Sequence, residues 1–295
     1  MNNSINSTHR LGGIGMALAG ALLLSPDTLL MRLAEMDGYQ MLAWRGLICV
    51  FIYLYIYKLG QSEGFWRGLK RLASGVGVLL ILSQIANATL FCVGIAIAPA
   101  SIVLFGVATV PIFAALFSVM IAGEQAPLAL WPTICVVTIG IGYAIFGSEA
   151  GGLSFNATTF IGGMLGLGVA ISIALSFVLI RLHSDIPFVL AIAVGVLLAG
   201  LFGLFMSGGN IGSSGNFLPI VVTGLIVLPV SFWLLSLSSR YTLPANVSLI
   251  MLLETILGPL WVWLGIGEAP TMPMMIGGGA VVLSLACYLR FGLRR

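Results

Sequence analysis

Glu254 is an ionisable residue deep inside a long apolar stretch, Pro244–Glu268. At helical spacing it lies on one face with Asn246, Ile250 and Trp261. An ionised side chain in mid-bilayer is costly unless it is paired or faces water. Glu254 is therefore either a cavity carboxylate that binds an ammonium group or carries a proton, or a structural carboxyl bonded to a neighbouring helix.

Ser83, Gln84 and Asn87 form a second polar group, at positions i, i+1 and i+4 of another apolar stretch. Amide side chains can bind the ammonium or carboxylate group of a zwitterion. They can also hold two membrane helices together by hydrogen bonds. The pattern alone leaves both roles open.

Asp27 and Arg45 are charged residues within two further apolar stretches. Pro26 precedes Asp27 and removes a backbone hydrogen bond, so Asp27 either faces a pore or satisfies the resulting kink. Arg45 either pairs with a carboxylate, for which Asp27 is a candidate, or attracts a carboxylate from the outer mouth.

Trp233 and Trp261 are candidates for stacking against an apolar or aromatic ligand, although tryptophan is also common at membrane interfaces. Met251 could adapt its shape to different ligand side chains. Asn246, with Glu254, is a candidate acceptor for a substrate ammonium group. Prolines within the apolar stretches are hinge candidates, or are tolerated passively: Pro26, Pro111, Pro229 and Pro259.

The elements that position these side chains are membrane helices. Of the 295 residues, 60% are hydrophobic and only 7% are charged, so the bilayer must be the solvent. Ten apolar spans are predicted, at about 11–33, 39–58, 72–97, 100–122, 128–147, 158–181, 186–206, 217–239, 244–266 and 270–290. The four cysteines lie inside spans and lack metal-ligand spacing, and we expect neither a metal nor a cofactor.

The distribution of Lys and Arg predicts the orientation. With the N-terminus inside, nearly all basic residues near span ends fall on the cytoplasmic side, and Arg32 alone falls outside. Ten spans then place both termini in the cytoplasm.

The chain contains a weak internal repeat. Pro99–Glu124 and Pro244–Glu268 both begin with Pro-Ala and end with Gly-Glu, and an offset of 144 aligns their ends. Five spans in each half would make the second half inverted, with a site near the midplane between the halves. The predicted units are 11–147, an extracytoplasmic linker at 148–157, and 158–291.

The ordered set of motifs resembles the drug/metabolite transporter superfamily, in particular its EamA-type members. The motifs are Trp44-Arg45, Pro99-Ala100-Ser101, Pro111 before Gly123-Glu124, and Leu253-Glu254 before Gly267-Glu268. One departure is Thr255, because the family usually has proline after this glutamate. The hinge of this helix is then expected at Pro259.

Within that superfamily the sequence is similar to the YddG-type exporters of aromatic and other neutral amino acids. The resemblance implies two inverted five-helix repeats in a bacterial inner membrane. It also implies a central cavity lined mainly by helices 1–4 and 6–9, with helices 5 and 10 peripheral at a possible homodimer surface.

We therefore expect a carrier that exports amino acids by alternating access. The alternative is efflux of hydrophobic cations, drugs, nucleosides or other small metabolites. We expect no enzyme, because HExxH and GxSxG motifs are absent from the sequence and no nucleophile–base pair is apparent. A channel would require a ring of filter residues. Proton coupling through Glu254 and facilitated diffusion both remain open.

Overall fold

The computed structural model describes residues 2–60, 64–98, 100–123, 128, 130–146, 157–209, 212, 215–267 and 272–287. Within these residues the regular structure is entirely helical. Helices in the first half are α1 (Asn2–Leu24), α2 (Asp27–Ala34), α3 (Gly38–Gly60), α4 (Phe65–Leu72), α5 (Gly75–Ile97), α6 (Ala100–Val107), α7 (Val110–Met120) and α8 (Leu130–Phe146). Those in the second half are α9 (Ala157–Leu182), α10 (Phe188–Met206), α11 (Phe217–Val222), α12 (Leu228–Tyr241), α13 (Pro244–Met251), α14 (Leu253–Ile266) and α15 (Met272–Cys287).

Eight helical spans in the described residues are long and apolar enough to cross a membrane. The prediction of a polytopic α-helical membrane protein is confirmed. The two remaining predicted spans correspond to α8 and α15, whose described parts have 17 and 16 residues. Pro99, Glu124, Glu268 and linker residues 148–156 lie outside the described residues.

Four of the spans are interrupted. A two-residue turn at Ser25-Pro26 separates α1 from α2, and Ala108-Thr109 separates α6 from α7. A π-helical segment at Thr223–Val227 joins α11 to α12, and Leu252 separates α13 from α14.

Three of the four interruptions have a proline beside them. Pro26 precedes the first residue of α2, and Pro111 and Pro229 lie in the first turns of α7 and α12. Proline suits such starts because it has no N–H to lose there. Pro259, in contrast, lies inside the continuous helix α14. The break in that span is at Leu252, seven residues before the expected hinge.

Pairs of helices from opposite halves dominate the packing. Extensive contacts join α3 to α10, α5 to α9, α1 to α12, α8 to α15, and α7 to both α9 and α13. Two crossings depend on glycine: Gly46 of α3 lies against Gly200 of α10, and Gly106 of α6 lies against Gly166 of α9. Small residues allow membrane helices to approach this closely.

Candidate functional site

A cavity of about 70 Å³, measured as space for the centres of water molecules, lies among the helices of both halves. Such a volume holds several waters, because one water needs roughly 10–15 Å³ on this measure. The described lining residues come from α1, α2, α3, α5, α6, α9, α10, α12, α13 and α14, and none comes from α8 or α15. Predicted spans 1–4 and 6–9 each contribute residues to this lining.

The polar lining is confined to a few side chains. Asp27, Arg45, Gln84, Asn87 and Glu254 all face this one cavity, although they lie on four different helices. Sequence reasoning had selected all five. Apolar groups form most of the remaining wall, including Phe91, Val107, Ile173, Phe232 and Met251.

Asp27 and Arg45 form a buried ion pair. Arg45 Nη2 donates to Asp27 Oδ2 at 2.7 Å, and the two side chains are only 6% and 1% exposed. Of the two roles predicted for Arg45, the structure therefore shows pairing with a carboxylate of the protein, Asp27. Asp27 is the first residue of α2, so the break at Pro26 sets its position. Arg45 Cζ lies over the Phe91 ring, 5.9 Å from its centroid, where the ring face attracts the positive charge.

Glu254 lies at the start of α14, two residues after the break at Leu252, and is 3% exposed. Hydrogen bonds at this break span three residues instead of four: Leu252 N–H donates to Leu249 O and Thr255 N–H to Leu252 O. In the described part of the chain, no hydrogen bond or ion pair engages the Glu254 carboxylate. The tight turn thus presents a carboxylate without a protein partner to the cavity.

Gln84 is anchored to the opposite half of the chain. Its Nε2 donates to Ser176 Oγ of α9 at 2.9 Å, and Ser176 Oγ donates to Ser172 O at 2.8 Å. Asn87, almost one turn further along α5, lines the same cavity. Ser83 does not line the cavity, and its hydroxyl donates to Leu79 O within its own helix.

Three other predicted ligand-contacting residues lie outside the lining. Asn246 is fully buried and its Nδ2 donates to Thr242 Oγ1 at 3.1 Å. Trp261 is 39% exposed and its Nε1 donates to Ser25 Oγ at 2.9 Å. Trp233 packs on an apolar cluster that includes parts of α3 and α10. The predicted shared face of Asn246, Glu254 and Trp261 assumed one continuous helix, and the break at Leu252 removes that alignment.

Several lining residues were missed by the sequence reasoning. Phe91 lies on the same face of α5 as Gln84 and Asn87, because it follows them by seven and four residues. Extending this face by one helical turn would have predicted it. Cys49 and Tyr53 follow Arg45 at i+4 and i+8 on α3, and the same extension applies. Tyr53 also donates its hydroxyl to Leu228 O at 3.2 Å, which joins α3 to α12.

Comparison with known proteins gives a fold but no family. No protein-family model matches the sequence, and no curated protein matches it. The crystal structure of another protein is similar to this chain with a TM-score of 0.73, covering 98% of both chains at 17% identity. At that identity the likeness shows a shared fold alone.

Proposed function

We propose that this chain is an EamA-type member of the drug/metabolite transporter superfamily, with ten membrane helices in two inverted five-helix repeats. In this scheme α1 and α2 form one interrupted helix equivalent to α9. The other equivalent pairs are α3 and α10, α5 and α11–α12, α6–α7 and α13–α14, and α8 and α15.

The helix packing supports this scheme. Exchanging the two halves leaves the pairs α3–α10 and α8–α15 unchanged. It converts the α5–α9 pair into the α12–α1 pair, and the α7–α13 pair into the α14–α6 pair. All of these pairs are in contact in the structure. A pseudo-two-fold axis in the membrane plane would produce this pattern.

The helix breaks give independent support. The offset of 144 that aligns the two sequence repeats also carries the break at Ala108-Thr109 onto Leu252-Leu253. A break thus recurs at the equivalent position although only the first copy has a proline beside it. Interrupted helices near the midplane are common at the binding sites of transporters with inverted repeats.

The proposed activity is export of amino acids, aromatic and other neutral ones, by alternating access through the central cavity. The observation that carries the proposal is the convergence of Gln84, Asn87, Glu254 and the Asp27–Arg45 pair on one mostly apolar cavity between the halves. A small zwitterion with a variable apolar side chain requires polar groups of both signs beside an adaptable wall. Phe91, Phe232 and Met251 would supply part of that wall.

The alternative is efflux of hydrophobic cations, drugs, nucleosides or related metabolites by the same fold. The charges of the cavity favour the cationic form of this alternative. Asp27 and Glu254 supply two carboxylates against the single guanidinium of Arg45, so the ionised site has an excess of negative charge. An organic cation would neutralise that excess, and so would a proton on Glu254.

The proposal further assigns the chain to the bacterial inner membrane, with a possible homodimer formed through α8 and α15. Both helices lie outside the cavity lining and carry exposed apolar side chains, including Ile139 and Leu283. These surfaces suit either lipid or a second copy of the chain.

The test of the proposed activity is uptake of radiolabelled amino acids into liposomes that contain the purified protein. We expect saturable uptake that unlabelled neutral and aromatic amino acids inhibit by competition. Tight vesicles that take up hydrophobic cations or nucleosides but no amino acid would favour the alternative. A flux that does not saturate would indicate a channel.

A further inference from the structure

Helix α4 (Phe65–Leu72) joins two membrane spans and is itself too short to cross a bilayer. Four residues separate it from the end of α3, and two separate it from the start of α5. Each of these spans has 23 residues, or about 35 Å of helix, against about 30 Å for the hydrocarbon core. The span ends, and α4 between them, therefore lie at the level of the lipid headgroups.

One face of α4 is docked on the protein through Gly68 and Leu72. A Cβ atom at Gly68 would be 3.0 Å from Leu190 Cδ2 of α10 and closer still to the hydroxyl oxygen of Tyr57 on α3. Leu72 is 2% exposed and belongs to the apolar cluster that contains Tyr57 and Leu190. These contacts hold α4 in one orientation about its axis.

The opposite face of α4 carries Trp66, Arg67 and Lys70. Residues 66 and 70 are about one turn apart and residue 67 adjoins them, so all three lie away from the docked face. Trp66 is 73% exposed, and Arg67 and Lys70 are also exposed. Neither basic side chain forms a hydrogen bond or an ion pair with the described part of the chain. The outward face thus presents one indole ring and two cations.

This combination suits a layer of lipid headgroups better than water. A face that meets only water gains nothing from a large exposed indole, whereas tryptophan is favoured at the interface between headgroups and acyl chains. Lys and Arg beside it attract anionic headgroups, and α4 has three basic residues and no acidic one. The charge and the apolar ring therefore complement the same partner.

We propose that α4 is an interfacial helix whose outward face binds the headgroups of anionic phospholipids, in the leaflet that the basic residues predict to be cytoplasmic. The Arg67 guanidinium and the Lys70 ammonium donate hydrogen bonds to phosphate oxygens of the lipid. The Trp66 ring lies at the boundary between headgroups and acyl chains. This surface is separate from the central cavity, and the inference goes beyond the proposed function.

The experiment measures quenching of Trp66 fluorescence by brominated phospholipids around the full chain in nanodiscs. The chain has six tryptophans, so the signal of a Trp66→Phe variant is subtracted. We expect brominated phosphatidylglycerol to quench Trp66 at a mole fraction at least about 5-fold lower than brominated phosphatidylcholine. One Lys or Arg near an anionic surface changes the affinity by about that factor. Equal quenching by the two lipids, or quenching by aqueous iodide alone, would overturn the assignment.

A double variant tests the two cations. Arg67→Gln with Lys70→Gln removes both charges from an exposed surface, and phosphatidylglycerol should then quench Trp66 no better than phosphatidylcholine. The matched control, Arg67→Lys with Lys70→Arg, keeps both charges and should retain the preference. Retention of the preference by the glutamine variant would overturn the assignment.

A soluble anion distinguishes a lipid site from a site for free phosphates. Glycerol phosphate carries the headgroup phosphate without acyl chains, and we expect millimolar concentrations to leave the phosphatidylglycerol preference in place. Loss of that preference would indicate a site for soluble phosphates and overturn the lipid assignment. Amino acid transport does not enter any of these measurements, so failure of the proposed function would leave this inference standing.

Discussion

Gly166 offers a direct test of the packing between the two halves of the chain. It lies on α9, where a Cβ atom would be 2.9 Å from Gly106 Cα of α6 and closer still to Val103 O. Carbon atoms pack best at about 3.5–4.0 Å, so a Gly166→Ala variant must separate the helices by at least about 0.6 Å. Backbone atoms on the facing helix cannot rotate away as a flexible side chain could.

Overpacking of this kind costs about 1–3 kcal/mol. The matched control is Gly163→Ala, because Gly163 lies on the same helix and a Cβ there would meet nothing within 4 Å. Alanine also raises helix propensity, by up to about 1 kcal/mol, and this gain is common to both variants. The difference between them therefore isolates the crossing with α6.

The assay is equilibrium unfolding in mixed micelles, with the free energy of unfolding obtained from a titration with sodium dodecyl sulfate. We expect Gly166→Ala to be less stable than Gly163→Ala by about 1–3 kcal/mol. If the two variants unfold at the same detergent fraction, the close approach of α6 and α9 is refuted. One of the two glycine-dependent helix crossings described above would then be lost.

Three further predictions concern the polar groups at and beside the cavity. Asp27→Asn leaves the buried Arg45 without its carboxylate and should lower the free energy of unfolding by about 3–5 kcal/mol. Adding Arg45→Gln to this variant should recover part of the loss. If the losses of the two single variants simply add in the double variant, the pairing is refuted. Trp261→Phe and Ser25→Ala each remove the hydrogen bond between α14 and the α1–α2 break. Each should lower the free energy of unfolding by about 0.5–1.5 kcal/mol. A double variant whose loss equals the sum of the two single losses would argue against that bond. Glu254→Gln should abolish transport driven by a pH gradient while leaving tryptophan exchange intact, and pH-driven transport that survives the substitution would remove Glu254 from the coupling role.

Much of the fold was predictable because the bilayer restricts what a chain can do. A segment that spans the bilayer must form its backbone hydrogen bonds within the segment, since lipid offers none. Long apolar stretches with few charges therefore indicate helices. Each of the ten predicted spans overlaps helical segments of the structure. For α8 and α15 the described parts have 17 and 16 residues and overlap the predicted spans at 128–147 and 270–290.

The charged and amide residues of the site were predictable for a related reason. An ionisable group in an apolar span must have a polar surrounding, and Asp27, Arg45 and Glu254 all share the one cavity. Asn246 and Trp261 were also predicted to contact a ligand from within an apolar span, but their side chains form hydrogen bonds to Thr242 and Ser25 of the protein. Which polar residues face a cavity and which bond to a neighbour depends on helix rotation, and a single sequence does not give that rotation.

The break at Leu252 shows a second limit. Proline marks the interruptions near Pro26, Pro111 and Pro229, since it lacks a donor. No proline adjoins Leu252, and the only proline of α14 leaves its helix continuous. The two helices that meet at this break have different neighbours: α13 contacts α7, and α14 contacts α2 and α6. Such contacts between distant segments are not visible in the local sequence.

The measurement closest to the central proposal is counterflow of tryptophan. Proteoliposomes are loaded with a high concentration of unlabelled tryptophan and diluted into buffer that contains a trace of labelled tryptophan. A carrier with one alternating site should exchange internal for external molecules, and the label should accumulate transiently above its external concentration. Label that only equilibrates across the membrane, or never enters vesicles proven tight and correctly loaded, would contradict an amino acid carrier.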